Sequence, residues 1–343
     1  MRERRRIVQR SLFEDDGPAA SRPAVSPVAV TPEAADLARR LPRGIRLGTS
    51  SWSFPGWTGI VYEARDGRPP GEQLLARHGL AAYASQPLFR TVSLDRTFYA
   101  PLKAAEFAAY AAQVPSDFRF VVKAPAAVTD PFRRDAGAGT VQGDNPCFLA
   151  AGVAAGTFVA PAVAGLGPKA GPLVFQFPPL GRTLLADLPR SAGRIAAFMA
   201  AVRSHAVARG AMLAVEVRDP ELASAAFAAA LADAGCIPCL AIHARMPPVE
   251  RQAAALGLDR TGDDRPLVAR WNLHAGRTYA AARTDYFPFD RLVEEDPTTR
   301  AGLARLARSA AAAGREVFIT INNKAEGSAP LSVARLAAAC RGE

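Results

Sequence analysis

Residues 212–218 read Met212-Leu213-Ala214-Val215-Glu216-Val217-Arg218, and this alternation decides the fold. In an extended strand successive side chains point to opposite faces. Met212, Ala214, Glu216 and Arg218 therefore share one face, while Leu213, Val215 and Val217 form an aliphatic face suited to covering helices. The first face starts apolar and ends polar, so its charge gathers at the C-terminal end of the strand.

Seven further runs have the same β-rich character: Ile45–Ser50, Phe89–Leu94, Phe118–Lys123, Pro172–Phe177, Ile237–Ile242, Leu267–Asn272 and Val317–Asn322. Alanine-rich helical stretches, long enough for crossover connections, separate them. Alternating strands and helices imply a parallel sheet, and eight such units predict an α/β fold of the (β/α)₈, TIM-like barrel type over residues 45–343. A doubly wound open sheet is the alternative, because periodicity does not show that the last strand closes on the first. The first strand is followed by no phosphate-cradling glycine fingerprint, which argues against a dinucleotide fold.

The same parity sorts the other strands. It groups Arg119, Val121 and Lys123; Thr91, Ser93 and Asp95; Val174 and Gln176; Cys239, Ala241 and His243; Arg270, Asn272 and His274; and Phe318, Thr320 and Asn322. In nearly every strand the polar member lies at the C-terminal end. A barrel carries its chemistry on that rim.

Composition excludes other classes. The chain has 343 residues, 49% hydrophobic and 22% charged, with mean hydropathy +0.03. Disordered, collagen-like and disulfide-rich secreted chains do not look like this. Four cysteines cannot staple such a length, so a reducing, cytoplasmic setting is expected. The net charge of +10 comes mostly from dispersed arginines, since only Lys103, Lys123, Lys169 and Lys324 are lysines. The one dense basic run is Arg2, Arg4, Arg5, Arg6 and Arg10, within a Pro/Arg-rich stretch, residues 1–44, expected to be a flexible leader with a short helix near Glu33–Arg40. No apolar core of an export signal follows the basic start. Asn145–Pro168 lacks charge, but its Ala/Gly composition and Pro161 suit a buried helix better than a membrane span.

Several phrases then resemble the DUF72 (YecE-like) family of proteins of unknown function. They are Gly48-Thr-Ser-Ser-Trp-Ser-Phe-Pro-Gly-Trp57 with Tyr62, Thr97-Phe98-Tyr99, Asp117-Phe-Arg-Phe-Val-Val-Lys-Ala-Pro125 with Thr129, Gly171-Pro-Leu-Val-Phe-Gln-Phe-Pro-Pro179, Ala214-Val-Glu-Val-Arg218, and Asn322-Asn323 with Gly327 and Ala329-Pro330. The resemblance implies a TIM barrel with an enzyme-like cleft and brings no reaction. It also marks departures. Ser93 and Asp95 stand where the family usually has glutamate and asparagine, Asp130 and Asp219 where histidines are usual, and Leu222 where tryptophan is common. The family's Arg-x-His-Gly appears here as Arg270-Trp-Asn272.

The rim residues suggest definite roles. Glu216 suits a general base, with Arg218 holding a substrate anion, or the two form an interior ion pair that sets barrel registry. Lys123 suits a proton donor, a Schiff-base amine or an anion grip, or pairs structurally with a rim carboxylate. Asp95 together with Glu216 raises a two-carboxylate glycosidase, whose chemistry depends on their separation. Gln176, Arg270, Asn322 and Asn323 are candidate substrate contacts, the asparagines alternatively capping a turn. Trp52 and Tyr99 are candidate ligand-stacking aromatics, whereas Phe54 and Trp57 suit packing.

His243 and His274 could join Asp95 or Glu216 around Zn²⁺ or Mn²⁺, but none of the four histidines forms a metal-spaced pair, so no metal ligands are assigned and the cofactor is unknown. Cys236-Ile-Pro-Cys239 is a lone CxxC at a strand start, better read as buried apolar cysteines. No Gly-x-Ser-x-Gly elbow and no P-loop occur. Loops such as Thr129–Asn145, with Arg133-Arg134, and Arg245–Arg265 fall on the site face, as closing elements or disordered insertions.

The reading that follows is an enzyme of hydrolase or isomerase type, using acid–base chemistry on a small polar or anionic, sugar- or phosphate-like substrate, with Glu216 as base and Lys123 and Arg218 as charge stabilisers. Its partner is a small-molecule ligand, with no membrane and no assigned oligomeric state. The alternatives are a noncatalytic ligand-binding or regulatory barrel, and a metal-dependent, phosphodiester-cleaving or nucleic-acid-binding barrel motivated by the +10 charge.

Overall fold

The computed structural model describes residues 24–135, 140–260 and 262–341. Eight strands form a closed parallel barrel: β1 (Ile45–Thr49), β2 (Thr91–Leu94), β3 (Arg119–Lys123), β4 (Ala170–Phe177), β5 (Leu213–Val217), β6 (Ile237–Ile242), β7 (Leu267–Trp271) and β8 (Val317–Ile321). Each falls on one of the eight runs read from the sequence, with β4 starting two residues before its run. Every strand pairs with its sequence neighbours, and β8 pairs with β1 from Ile45↔Val317 to Thr49↔Ile321. That register closes the sheet and removes the open-sheet alternative.

Parity then separates two cores. Val121, Val174, Ala214, Ile237, Cys239, Val268 and Phe318 pack together inside the barrel. The alternate residues, among them Phe120, Val122, Phe175, Val215 and Ile319, belong to the layer between sheet and helices. Helix Leu188–Ser204 lays Phe198 edge-on against Phe175 with ring centres 5.7 Å apart. Gly48 is needed where β1 passes β2, since a Cβ there would sit 1.8 Å from the Thr91 carbonyl oxygen. The CxxC pair is split by the same parity. Cys236 faces the helix layer and Cys239 the barrel interior, both as buried free thiols.

The uncharged stretch is used as expected of a buried helix. Overlapping it, helical run Ala151–Lys169 is the one described helix long and apolar enough to cross a membrane, with mean hydropathy 1.4. Here it packs on the barrel, burying Ala154, Ala155, Phe158, Val159, Ala162 and Leu166, with Phe158 edge-on to Phe175.

Residues 24–44 differ from the flexible leader expected of them. The helix forms, as Pro32–Arg40, capped by the Thr31 hydroxyl accepting from the Ala34 N–H. Val25 and Leu41 are buried, and Arg90 donates to the Ala38 and Pro42 carbonyls at 2.5 and 2.9 Å. An arginine that satisfies helix-end carbonyls anchors a segment that composition alone marks as linker. The basic run Arg2–Arg10 lies outside the described residues. The loop after β3 carries a two-stranded antiparallel ribbon, Phe132–Arg134 with Val141–Asp144, in a stretch read as irregular.

Candidate active site at the C-terminal rim

The inward side chains at the ends of β2, β3, β5 and β7 converge on one charge network. Arg270, 2% exposed, donates through Nη1 to Glu216 Oε2 at 2.8 Å and through Nη2 to Asp95 Oδ1 and Oδ2 at 2.7 and 2.8 Å. Arg218 Nη2 lies 2.6 Å from the other Glu216 oxygen, Oε1. Ser93 Oγ donates to Asp95 Oδ1 at 2.6 Å. The result is a continuous relay of alternating charge, Arg218–Glu216–Arg270–Asp95, across the top of the barrel.

Glu216 is fully buried, and each of its oxygens faces a guanidinium. Burial alone would raise its carboxyl; Arg218 and Arg270 more than offset this and hold it below the usual range. Glu216 is thus the shared carboxylate of two arginines, the interior ion pair named as the alternative to a general base. The glycosidase reading meets a similar obstacle. Arg270 bridges Asp95 and Glu216, so both carboxylates of that pair are engaged by one guanidinium.

Lys123 sits at the end of β3 against this network. Its Nζ lies 3.6 Å above the centre of the Phe98 ring, and no ion pair to Lys123 occurs among the described residues. Phe98 is placed by the turn after Asp95, where the Thr97 hydroxyl donates to the Leu94 carbonyl at 2.8 Å and also reaches the Lys123 carbonyl. The structural pairing of Lys123 with a rim carboxylate is therefore not present, because Asp95 is already engaged by Arg270. Burial, reinforced by Arg270 and Arg218 and opposed by Asp95 and Glu216, lowers the ammonium to about 8.

Above the network opens a cleft of about 320 Å³. Lys123, Arg218 and Arg245 line it with Asp95, Gln176, Asn272 and Asn322, under Tyr99 and Tyr279. Tyr99 is 83% exposed and Tyr279 59%. His243 is also on the wall. Burial and the neighbouring Arg218 push its imidazole down to about 4, so it is neutral at pH 7. Cations outnumber carboxylates around the opening, and an anionic ligand is the complementary charge.

Two expected ligand contacts lie elsewhere. Trp52 is buried, donates from Nε1 to the Leu75 carbonyl at 3.0 Å and packs edge-on against Tyr110. It pins the loop after β1 onto helix Glu72–Ala84. Asn323 is also buried, its Oδ1 accepting from Trp57 Nε1 at 3.1 Å and from the Ala329 N–H at 2.8 Å. It brackets a loop to the start of the last helix, whereas Asn322, of opposite parity, faces the cleft and donates to Ser50 Oγ at 2.7 Å.

The aspartates at the family's histidine positions are committed as well. Asp130 accepts from the Phe132 N–H and Arg134, and Asp219 from the Leu180 N–H at 2.8 Å. His274 Nδ1 meets the Ala275 carbonyl at 2.8 Å and lies 3.9 Å from Glu294. Among the described residues no three His, Cys, Asp or Glu side chains gather as a metal centre, so the His243–His274 grouping is corrected. Arg245, Tyr279 and Asn272 were missed as cleft residues. Arg245 sits in the loop after β6 and Tyr279 opens the short helix Tyr279–Asp285 after β7, both beyond the reach of strand periodicity, while Asn272 shares a face with Arg270 in the sequence reading.

A family model described as "Protein of unknown function DUF72" matches residues 46–343. A crystal structure of a DUF72 family protein from Enterococcus faecalis V583 is 16% identical, with TM-score 0.54 over 87% of this chain and 96% of that one. A DUF72 family protein from Thermotoga maritima MSB8 is 18% identical, with TM-score 0.52 over 87% of this chain and 99% of the other. These likenesses carry the fold. No curated protein matches the chain.

Proposed function

The chain belongs to the DUF72 family, and from the chemistry of its rim we propose that it is an enzyme applying acid–base chemistry to a small anionic, sugar- or phosphate-like substrate. The observation that carries this reading is Lys123, a lysine on the cleft wall with no ion-paired carboxylate among the described residues and an ammonium lowered to about 8. A group that exchanges its proton near neutral pH is suited to general acid–base work. Roles follow from position. Lys123 is the proton-transfer group, while Arg218 and Arg245 hold the substrate anion. Gln176, Asn272 and Asn322 contact hydroxyl or carbonyl groups, and the two exposed tyrosines cover the apolar faces of the ligand. Glu216 and Asp95 keep Arg218 and Arg270 in place.

The cleft volume favours a small molecule over a nucleic-acid strand. A noncatalytic binding barrel is the second reading, supported by the engagement of Asp130 and Asp219 in backbone contacts. A thermal-shift screen of phosphorylated and carboxylated metabolites on wild type, Lys123→Met and Glu216→Gln, followed by turnover assays of each stabilising compound, tests both. Stabilisation of wild type that weakens in Lys123→Met, with turnover, is the expected result. Stabilisation without turnover selects the binding barrel. Equal stabilisation of wild type and Lys123→Met removes Lys123 from the site.

A further inference from the structure

The cleft presents a primary amine beside a cationic anion-holding edge, an arrangement that suits one class of ligand in particular. Lys123 Nζ has the Phe98 ring on one side and the Asp95–Arg270 pair nearby, with Arg218 and Arg245 across the same opening. We propose that Lys123 forms an imine with a small anionic aldehyde or ketone whose carboxylate or phosphate is held by Arg218 and Arg245. This rests on the cleft reading above and deepens it by naming the reactive group of the substrate as a carbonyl.

The step balances with the residues present. The ammonium first releases its proton to water. The freed lone pair attacks the carbonyl carbon, the C=O electrons move to oxygen, and that oxygen takes up one proton as the nitrogen gives one up, which yields a neutral carbinolamine. The hydroxyl then takes a proton from solvent and leaves as water while the nitrogen electron pair forms C=N–H⁺, and loss of that N–H proton to solvent leaves C=N. No oxidant or reductant is required. Magnitude favours Lys123 over an ordinary lysine: with an ammonium near 8, about a fifth of the amine is free at pH 7.4, against about one part in a thousand at the usual lysine value. The groups facing it from other strands act in both directions, Arg270 and Arg218 favouring the free amine and Asp95 and Glu216 the ammonium.

Lys324 is the internal control. Burial also lowers it to about 8, but its Nζ lies 4.3 Å from the centre of the Tyr279 ring and 3.3 Å from Asn322 Oδ1, and it does not line the cleft. A proposal resting on amine basicity alone would treat the two lysines alike. Cleft geometry singles out Lys123.

The test incubates the full chain with dihydroxyacetone phosphate or pyruvate in the presence of cyanoborohydride, then reads intact mass and the labelled peptide. One saturating adduct on Lys123 is expected, competed by inorganic phosphate, at least tenfold slower in Arg218→Met and absent in Lys123→Met. The phosphate and carboxylate probes distinguish which anion the arginines prefer. Labelling spread over Lys103, Lys169 and Lys324 overturns the proposal. So does the lack of any adduct in a protein that inorganic phosphate still stabilises thermally, an outcome that leaves the anion cleft standing. If phosphate neither stabilises the protein nor competes, the cleft reading fails together with the imine.

Discussion

The two ends of the barrel use the same strand faces and reach opposite electrostatic solutions. At the N-terminal end, Arg46 of β1 donates to the Asp117 carbonyl at 2.6 Å and lies 3.4 Å from Glu316, and Arg119 of β3 donates to the Ser116 and Phe118 carbonyls. Those guanidinium groups close off strand starts. At the C-terminal rim the inward arginines Arg218 and Arg270 instead share the buried Glu216, and Arg270 also holds the half-buried Asp95. There Arg218 Nε, Arg270 Nε and His243 Nδ1 are buried with no hydrogen-bond partner among the described residues. Unsatisfied donors cost free energy. The comparison teaches that the inward arginines of the lower end serve backbone carbonyls at strand starts, while those of the rim hold carboxylates around a cleft.

The largest expected effect comes from breaking the rim network. Glu216→Ala leaves two guanidinium groups without their shared carboxylate and should cost about 3–5 kcal/mol in urea denaturation. Arg46→Met, at the other end, should cost only about 1 kcal/mol, because its carboxylate partner is partly exposed. Equal losses would erase the distinction between the ends.

Next in size is Lys123→Met, expected to stabilise the protein at pH 7 by about 1–2 kcal/mol after allowing for partial exposure. The folded lysine sits near 8, below its unfolded value near 10.4. Between these values the unfolded chain binds more protons, so this group makes wild-type stability rise as pH increases from 8 to 10.4. Lys324 contributes with the same sign, so the substitution should reduce that slope without abolishing it.

His243 gives a smaller effect on the acid side. Its folded value of about 4 lies below the usual 6.5, so its contribution is complete above 6.5 and is lost as pH falls toward 4. His243→Phe should flatten that limb by about 1 kcal/mol; a limb identical to wild type would contradict a buried neutral imidazole. The smallest stability effect belongs to Tyr99→Ala, within about 0.5 kcal/mol because the ring is exposed. That variant should still weaken binding of any ligand found in the metabolite screen several-fold.

Much of this was legible in sequence because strand parity is a physical constraint. It grouped Lys123, Gln176, Glu216, Arg270 and Asn322 on one face before any coordinates. It also held the signal that separates Asn322 from Asn323, which lie on opposite faces once the strand is counted from Phe318. Depth was not legible. Glu216 looks like a free base until Arg270, 54 residues later in the chain, meets its second oxygen. Trp52 lies beyond the end of β1, where alternation stops reporting direction; Arg245 occupies a loop with no period, and Tyr279 starts a helix too short to show one. Residues 24–44 carry linker composition, yet Arg90, far along the chain, donates to the Ala38 and Pro42 carbonyls of that segment.

With only four lysines in the sequence, the central claim can be read at one atom. Protein labelled with ¹³C at lysine Cε should give a signal, assigned by its loss in Lys123→Met, that titrates near 8 and moves to higher pH when inorganic phosphate is added. A Lys123 signal titrating above 10 and indifferent to phosphate would contradict the account.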